Sequence, residues 1–297
     1  MLVKNILEQK IIKMFEDYNF STFIYHGCFD IAAKKRKMLF VKILKNIDAL
    51  QEEHALNLKI LAKNFDAFPL LVGMQTNREK IKNNLVYSRF GIYTVNPETL
   101  ENIISSKFPK VFRYKGGLFV NIDSKKLRKA RKRKKLTQKE LGEKINVTKK
   151  CIYEHEHKDI KIYYQLAKKL ENILDKRIIK PIKPESHLII KPLEHFAQKS
   201  MFERMVIKEF KRIGFETSAV DKSPFDIFAE RGEKIITSVE EKNLRNLEKL
   251  LKFSEFSNSH PLLVRKKKTE CCVKCIEKKE LEKFESSEEL IEFLKEV

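Results

Sequence analysis

The chain has 297 residues, enough for two or three small cores, with 42% hydrophobic residues, 35% charged residues and a formal net charge of +21. No apolar run approaches the ~20 residues that a membrane-spanning helix needs, the acidic, helically spaced N-terminus does not read as an export signal, and five unevenly placed cysteines do not describe a disulfide framework. A reduced, cytoplasmic protein with no membrane partner is expected.

Residues 2–17 have the apolar spacing of a helix, and short β-rich runs follow, carrying Phe29-Asp30-Ile31 and then Leu39-Phe40-Val41-Lys42-Ile43-Leu44. A polar helical stretch over 50–65 leads to an apolar strand with Pro69-Leu70-Leu71-Val72. Asn96-Pro97-Glu98 has the cap and first-turn chemistry of another helix, and Lys115-Gly116-Gly117-Leu118 reads as a hairpin turn. Residues 1–123 are therefore expected to form an α/β domain.

The charge then changes. Residues 1–124 hold 19 basic and 12 acidic side chains, residues 125–183 hold 21 and 7, and residues 184–297 hold 22 of each. Two-thirds of the positive excess thus sits in one short segment, a field suited to a polyphosphate partner that releases counterions on binding. Nine of the eleven residues from Lys125 to Lys135 are basic.

Within this segment, Thr137 and Glu140 have capping-box spacing ahead of a helix with Leu141 and Ile145 on its apolar face. Gly142 permits a close helix crossing, Asn146 can leave that helix in a left-handed conformation, and Thr148 can cap a second helix with Ile152 facing the core. A closing helix is expected over 160–174, with Leu166, Ala167, Leu170 and Leu174 inward.

The order Leu127-Arg128-x-x-Arg131, Thr137-Gln138-x-x-Leu141, and Val147-Thr148-x-x-x-Ile152-x-x-x-Glu156 resembles the lambda-repressor-like, or XRE, family of helix-turn-helix domains. Gly142 stands where the family usually has Ala, and the Gly that commonly follows the last Glu is missing. The resemblance implies that the helix beginning at Thr148 enters the major groove of double-stranded DNA, with Lys149, Lys150 and Glu154 reading bases. It further implies that Gln138 and Thr148 bind phosphate at helix N-termini, with Thr137 capping beside them and Arg128 and Arg131 belonging to the same surface. A homodimer on two half-sites is expected, as in an archaeal-type transcriptional regulator.

Residues 178–193, with three prolines, read as a linker, and residues 194–297 as a second α/β domain repeating the first. Phe225-Asp226-Ile227 matches Phe29-Asp30-Ile31, and Pro261-Leu262-Leu263-Val264 matches Pro69-Leu70-Leu71-Val72. A leading helix at 194–213, a helical stretch at 242–256 and a helix opening at Ser286 complete the parallel.

Each copy resembles the restriction-endonuclease-like, PD-(D/E)xK fold, in which an Asp and an acid-x-Lys hold a divalent metal. Asp30 and Asp226 stand at the first acid; the strand after Asp30 has no acid, and Glu240-Glu241-Lys242 supplies acid-x-Lys only at the end of its strand. Asp226, Glu240 and Lys242 are therefore the candidate catalytic set of a fold expected to be inactive, and no metal or other cofactor is expected. Cys271, Cys272 and Cys275 form one Cys-x-x-Cys with an extra thiol, short of the four ligands of a structural zinc site.

The expected architecture is mixed α/β: two related small α/β domains (1–123 and 194–297) flanking an all-α lambda-repressor-like helix-turn-helix domain (124–177). The expected function is sequence-specific regulation of transcription. A metal-dependent nuclease guided by the helix-turn-helix, or an antitoxin-like module binding its own promoter, are the alternatives.

Overall fold

The computed structural model describes residues 2–114, 116–184, 199–240, 243–267 and 272–296. The chain begins with α1 (Leu2–Asp17), β1 (Ser21–Ile24), β2 (Ile31–Lys34), β3 (Met38–Asn46), α2 (Glu52–Asn64) and β4 (Phe68–Gln75). It continues through β5 (Leu85–Arg89), β6 (Ile92–Val95), α3 (Pro97–Ile104), β7 (Val111–Tyr114) and β8 (Gly117–Val120). Next come α4 (Ser124–Arg133), α5 (Gln138–Ile145), α6 (Lys149–His157), the two-residue β9 (Ile162–Tyr163) and α7 (Tyr164–Leu174). The last part holds α8 (Met201–Arg212), β10 (Glu216–Ala219), β11 (Ile227–Arg231), β12 (Glu233–Val239), α9 (Leu244–Ser257), β13 (His260–Arg265), β14 (Cys275–Glu277), α10 (Lys278–Leu281) and α11 (Ser287–Lys295). Among the described residues, no helix is long and apolar enough to cross a membrane.

Local chemistry sets many of these boundaries. The Asn96 side chain accepts from the Thr99 N–H at 2.9 Å with Pro97 at the first helical position, and Ser286 accepts from the Glu289 N–H at 3.3 Å. Tyr114 pairs with Gly117 across the expected hairpin. The closing helix starts later than its pattern suggested. Ile162 is buried and Tyr163 exposed, a two-residue alternation, and both pair with β8.

The chain divides into two compact units, one comprising 1–7, 44–50 and 70–187, the other 8–43, 51–69 and 188–297. Strands β3 and β4 run through both. This partition differs from the expected separation of 1–123 from 194–297.

In the first unit the strands lie in the order β4-β6-β5-β7-β8-β9, with β4/β6 and β5/β7 parallel. The helices α4 to α7 pack Leu127, Ala130, Leu141, Ile145, Ile152, Ala167, Leu170 and Leu174 into one core with Val120, Ile122, Ile162 and Ile178. The segment 124–177 is thus not the all-α domain that was expected, because it contributes β9 to a sheet and borrows strand residues for its core. Nor is 178–184 a free linker: Asp123 N–H donates to Ile178 O at 2.8 Å, Ile182 N–H donates to Pro109 O at 2.7 Å, and both isoleucines are buried. The rest of the expected linker, 185–193, lies outside the described residues.

In the second unit the two copies of the repeat meet. Ile31 pairs with Val41 and Ile227 with Thr237, so the antiparallel β2/β3 and β11/β12 registers coincide at one constant offset. The backbone repeats the detail: Asp30 N–H donates to Val41 O at 2.8 Å, and Asp226 N–H to Thr237 O at 2.9 Å. The second copy has a core of its own, with Phe210, Ile227, Ile235, Leu262 and Leu290 at its centre, and the two copies share a further one. The Phe253 ring of α9 lies 5.1 Å from Phe23, 5.4 Å from Phe65, 6.1 Å from Phe29 and 5.9 Å from Phe225 (centroid to centroid), so aromatics of both copies fill one space. Tyr25 Oη donating to Ser223 O at 2.7 Å and Asn64 Nδ2 to Ser218 Oγ at 2.7 Å pin the copies together.

Candidate nucleic-acid interface

The helices α5 and α6 are joined by a turn built from the residues that signalled it. Thr137 Oγ1 accepts from the Glu140 N–H at 3.1 Å while Glu140 Oε2 accepts from the Thr137 N–H at 2.6 Å, closing the capping box. These bonds hold the Glu140 carboxyl below the usual carboxylate range. Asn146 then leaves the helix at φ 60° and ψ 47°, and the Val147 N–H returns to Gly142 O at 2.9 Å. A Cβ on residue 142 would stand 2.6 Å from Val147 O, so glycine is what lets the turn close here. Thr148 Oγ1 accepts from the Cys151 N–H at 3.2 Å and starts α6.

A buried clasp ties α4, α5 and α6. Arg131 Nε and Nη2 donate to the two oxygens of Glu156 at 2.7 and 2.9 Å, Arg131 Nη1 donates to Leu136 O at 2.7 Å, and Gln138 Nε2 donates to Glu156 Oε2 at 2.8 Å. Burial alone would raise the Glu156 pKa, but the bonds from Arg131 and Gln138 outweigh it and lower it. The carboxylate in turn raises the Arg131 pKa. This corrects the placing of Arg131 on the DNA-facing surface, and it turns one N–H of the half-buried Gln138 inward. A carboxylate buried at position 156 favours a bidentate cation, and the arginine fork and one glutamine N–H are directed to it.

The remaining expected contacts divide clearly. Arg128, Lys149 and Lys150 are exposed, as are Thr137 and Thr148, whose oxygens serve as caps while their O–H groups can still donate outward. Glu154 is half-buried and bonded to Lys158 at 3.2 Å. Tyr153 was missed: half its surface is exposed beside these lysines, and its ring stacks on His157 at 4.1 Å. An exposed tyrosine in an amphipathic helix has no sequence signature of its own. His155 points into the core, where burial lowers its pKa and Nδ1 has no hydrogen-bond partner among the described residues.

Except for Arg131, every basic residue from Lys125 to Lys135 is exposed. Lys126, Lys129, Arg133 and Lys176, with Ala130, line a cleft of about 370 Å³ between α4 and the residues just after α7. The cations thus lie along one side of the helical segment while the α6 N-terminus presents Lys149 and Lys150.

In the second unit the Asp30 carboxylate is fully buried; Oδ2 accepts from the Ile43 N–H at 2.6 Å, and Lys42 Nζ stands 3.4 Å from Oδ1. Lys42 was overlooked because no acid precedes it at the expected spacing. By register the acid-x-Lys position reads Phe40-Val41-Lys42, with buried Phe40 where the acid would be. Asp226 repeats the bond, accepting from the Val239 N–H at 2.8 Å, but the matching strand positions are Ile236 and Ser238. Glu240 follows at φ 56° and accepts from the Lys266 N–H at 2.6 Å; Lys242 lies outside the described residues. Among the described residues no three His, Cys, Asp or Glu side chains form a metal-ligand set. Cys272 is exposed and Cys275 buried, and Cys271 is outside the described residues. A divalent metal does not fit the donors around Asp30: the neighbouring strand position carries Phe40, and Glu8 is reached only through His26, 3.6 Å from Glu8 and 3.9 Å from Asp30.

Residues 4–109 match the family described as the PD-(D/E)XK superfamily domain. A relative from Pyrococcus furiosus is 35% identical over 91% of this chain and 90% of its own length, and carries the name "Putative HTH-type transcriptional regulatory protein". Relatives from Methanococcus maripaludis (32% identical; 90% of each chain) and Methanocaldococcus jannaschii (29%; 99% and 98%) carry the same description. No solved structure matches.

Proposed function

The chain belongs to the family of archaeal HTH-type transcriptional regulatory proteins, and from that membership we propose that it binds double-stranded DNA through α5 and α6 as a lambda-repressor-like regulator. The observation that carries this reading is the clasped α4–α6 unit with its opposite allocation of charges. Arg131 is spent inward on Glu156, while Lys149 and Lys150 project from the N-terminus of α6. In such a docking the first turn of α6 meets base edges in the major groove, where a lysine donates to guanine acceptors. Tyr153, one turn further on, offers an apolar face to a thymine methyl group. Arg128, Lys126, Lys129 and Arg133 follow the phosphate backbone, with Thr137 and Thr148 donating from the two helix starts.

The PD-(D/E)xK-like copies serve as a scaffold in this reading and catalyse nothing, since Phe40, Ile236 and Ser238 occupy positions that cleavage needs filled by an acid and a lysine. Two chains engage two half-sites, as a palindromic operator requires.

Selection from a random duplex library tests the proposal. Lys149→Ala/Lys150→Ala should lose the selected sequence preference, about 1–3 kcal/mol for each good base contact, and keep its unfolding profile. Retained preference in the double variant would remove α6 as the reading helix.

A further inference from the structure

The second unit has a cation-lined cleft that the helix-turn-helix does not explain. Its strands β12, β13 and β14 are parallel, so their carboxyl ends lie on one side. There the chain leaves β13 into Lys266 and Lys267 and leaves β14 into Lys278 and Lys279. These lysines, with Phe202, Glu277 and Glu282, line a cleft of about 730 Å³.

The two acids do not cancel the four lysines. Glu282 is engaged by Lys278, whose hydrogen bond lowers its pKa. Glu277 is turned into the capping box of α10 with Glu280. Among the described residues the Lys266, Lys267 and Lys279 ammonium groups form no ion pair, although the Lys266 backbone N–H donates to Glu240 Oε1 at 2.6 Å and Lys279 adds to the charge that lowers the Glu282 pKa; Lys266 Nζ lies over the Phe202 ring at 5.4 Å. Residues 184–297 hold equal numbers of acids and bases, so three lysines gathered here are a local concentration rather than a share of a general excess.

We propose that this cleft binds phosphate groups through Lys266, Lys267 and Lys279. Three ammonium groups around an open concave space provide point charges for a strongly charged, weakly directional anion, and lysine suits phosphate in that way. Two sources carry this chemistry: a small phosphate ester acting as an effector, or the DNA backbone itself. The second source rests on the DNA-binding reading above.

The test uses the full chain, with Lys266→Gln/Lys267→Gln/Lys279→Gln and, to keep Lys266 over the Phe202 ring, Lys267→Gln/Lys279→Gln. Each is melted with and without inorganic pyrophosphate, and binding to a random-sequence duplex is measured across salt concentrations. A saturable rise in melting temperature of the wild type, absent in both variants, identifies a soluble phosphate ester. If pyrophosphate has no effect, a slope of log affinity against log salt reduced by about 2 to 3 identifies the backbone, at roughly 0.9 for each phosphate no longer neutralised. Variants equal to wild type in both measurements overturn the proposal. Wild-type protein that binds no duplex defeats the helix-turn-helix reading, and the pyrophosphate arm then decides this one alone.

Discussion

Replacing Arg131 by Met separates a structural clasp from a DNA contact. The side chains of Arg131 and Glu156 are 10% and 0% exposed, so the substitution strands a carboxylate in the core with one amide partner, Gln138. Breaking one side of a buried pair costs about 3–5 kcal/mol. At about 1.4 kcal/mol per tenfold, amides of α4 to α6 that exchange by unfolding of this segment should exchange roughly 10²- to 4 × 10³-fold faster at pH 7. Hydrogen exchange read peptide by peptide suits a chain of two units, where a single unfolding midpoint is not defined. The pH dependence has a fixed sign. In the wild type, Glu156 has a folded pKa below its unfolded value, so its contribution is present above about pH 4.5 and fades as pH falls through the lower folded value. In the variant the stranded carboxylate takes up a proton more readily, so the deficit is largest near neutrality and shrinks in acid. Arg131→Met/Glu156→Leu should recover most of the loss, because a packed apolar pair avoids both desolvation costs. Unchanged exchange combined with a tenfold loss of duplex affinity would refute the clasp and return Arg131 to the DNA surface.

Phe253→Ala should cost about 3–5 kcal/mol and raise exchange in β1 and at the end of α2 as well as in α9, because the ring is shared by both copies; effects confined to α9 would contradict a common core. His155 is held neutral by burial with its folded pKa below the unfolded 6.5, so the helical segment should lose stability as pH falls from about 6.5 toward that lower value, and His155→Leu should flatten the profile in exchange or melting experiments. Burial pushes the Cys28 thiol up to about 12, so in native protein at pH 8 iodoacetamide should spare Cys28 and label exposed Cys272; equal labelling would place Cys28 at the surface.

Sequence alone determined what depends on neighbours along the chain. The capping box at Thr137, the left-handed exit at Asn146 and the Thr148 cap rest on hydrogen bonds and backbone preferences spanning a few residues, the repeat anchored at Asp30 and Asp226 on matching letters, and each was legible. The exposed cations of α4 and α6 were legible too, since charge excess can be counted without knowing any partner. Tertiary structure decided what depends on distant partners. Arg131 and Arg128 look alike in sequence, and both lower the Glu156 pKa, but it is Arg131 whose fork is hydrogen-bonded to that buried carboxylate from 25 residues away. Strand β9 exists because β8 offers it a ladder, and the Ile162–Tyr163 alternation is too short to outweigh a helical pattern by itself. The two copies read as separate domains because each has a complete order of elements. Only folding shows that Phe253 completes the core of the other copy, since hydrophobicity is written in the sequence but the identity of the packing partner is not.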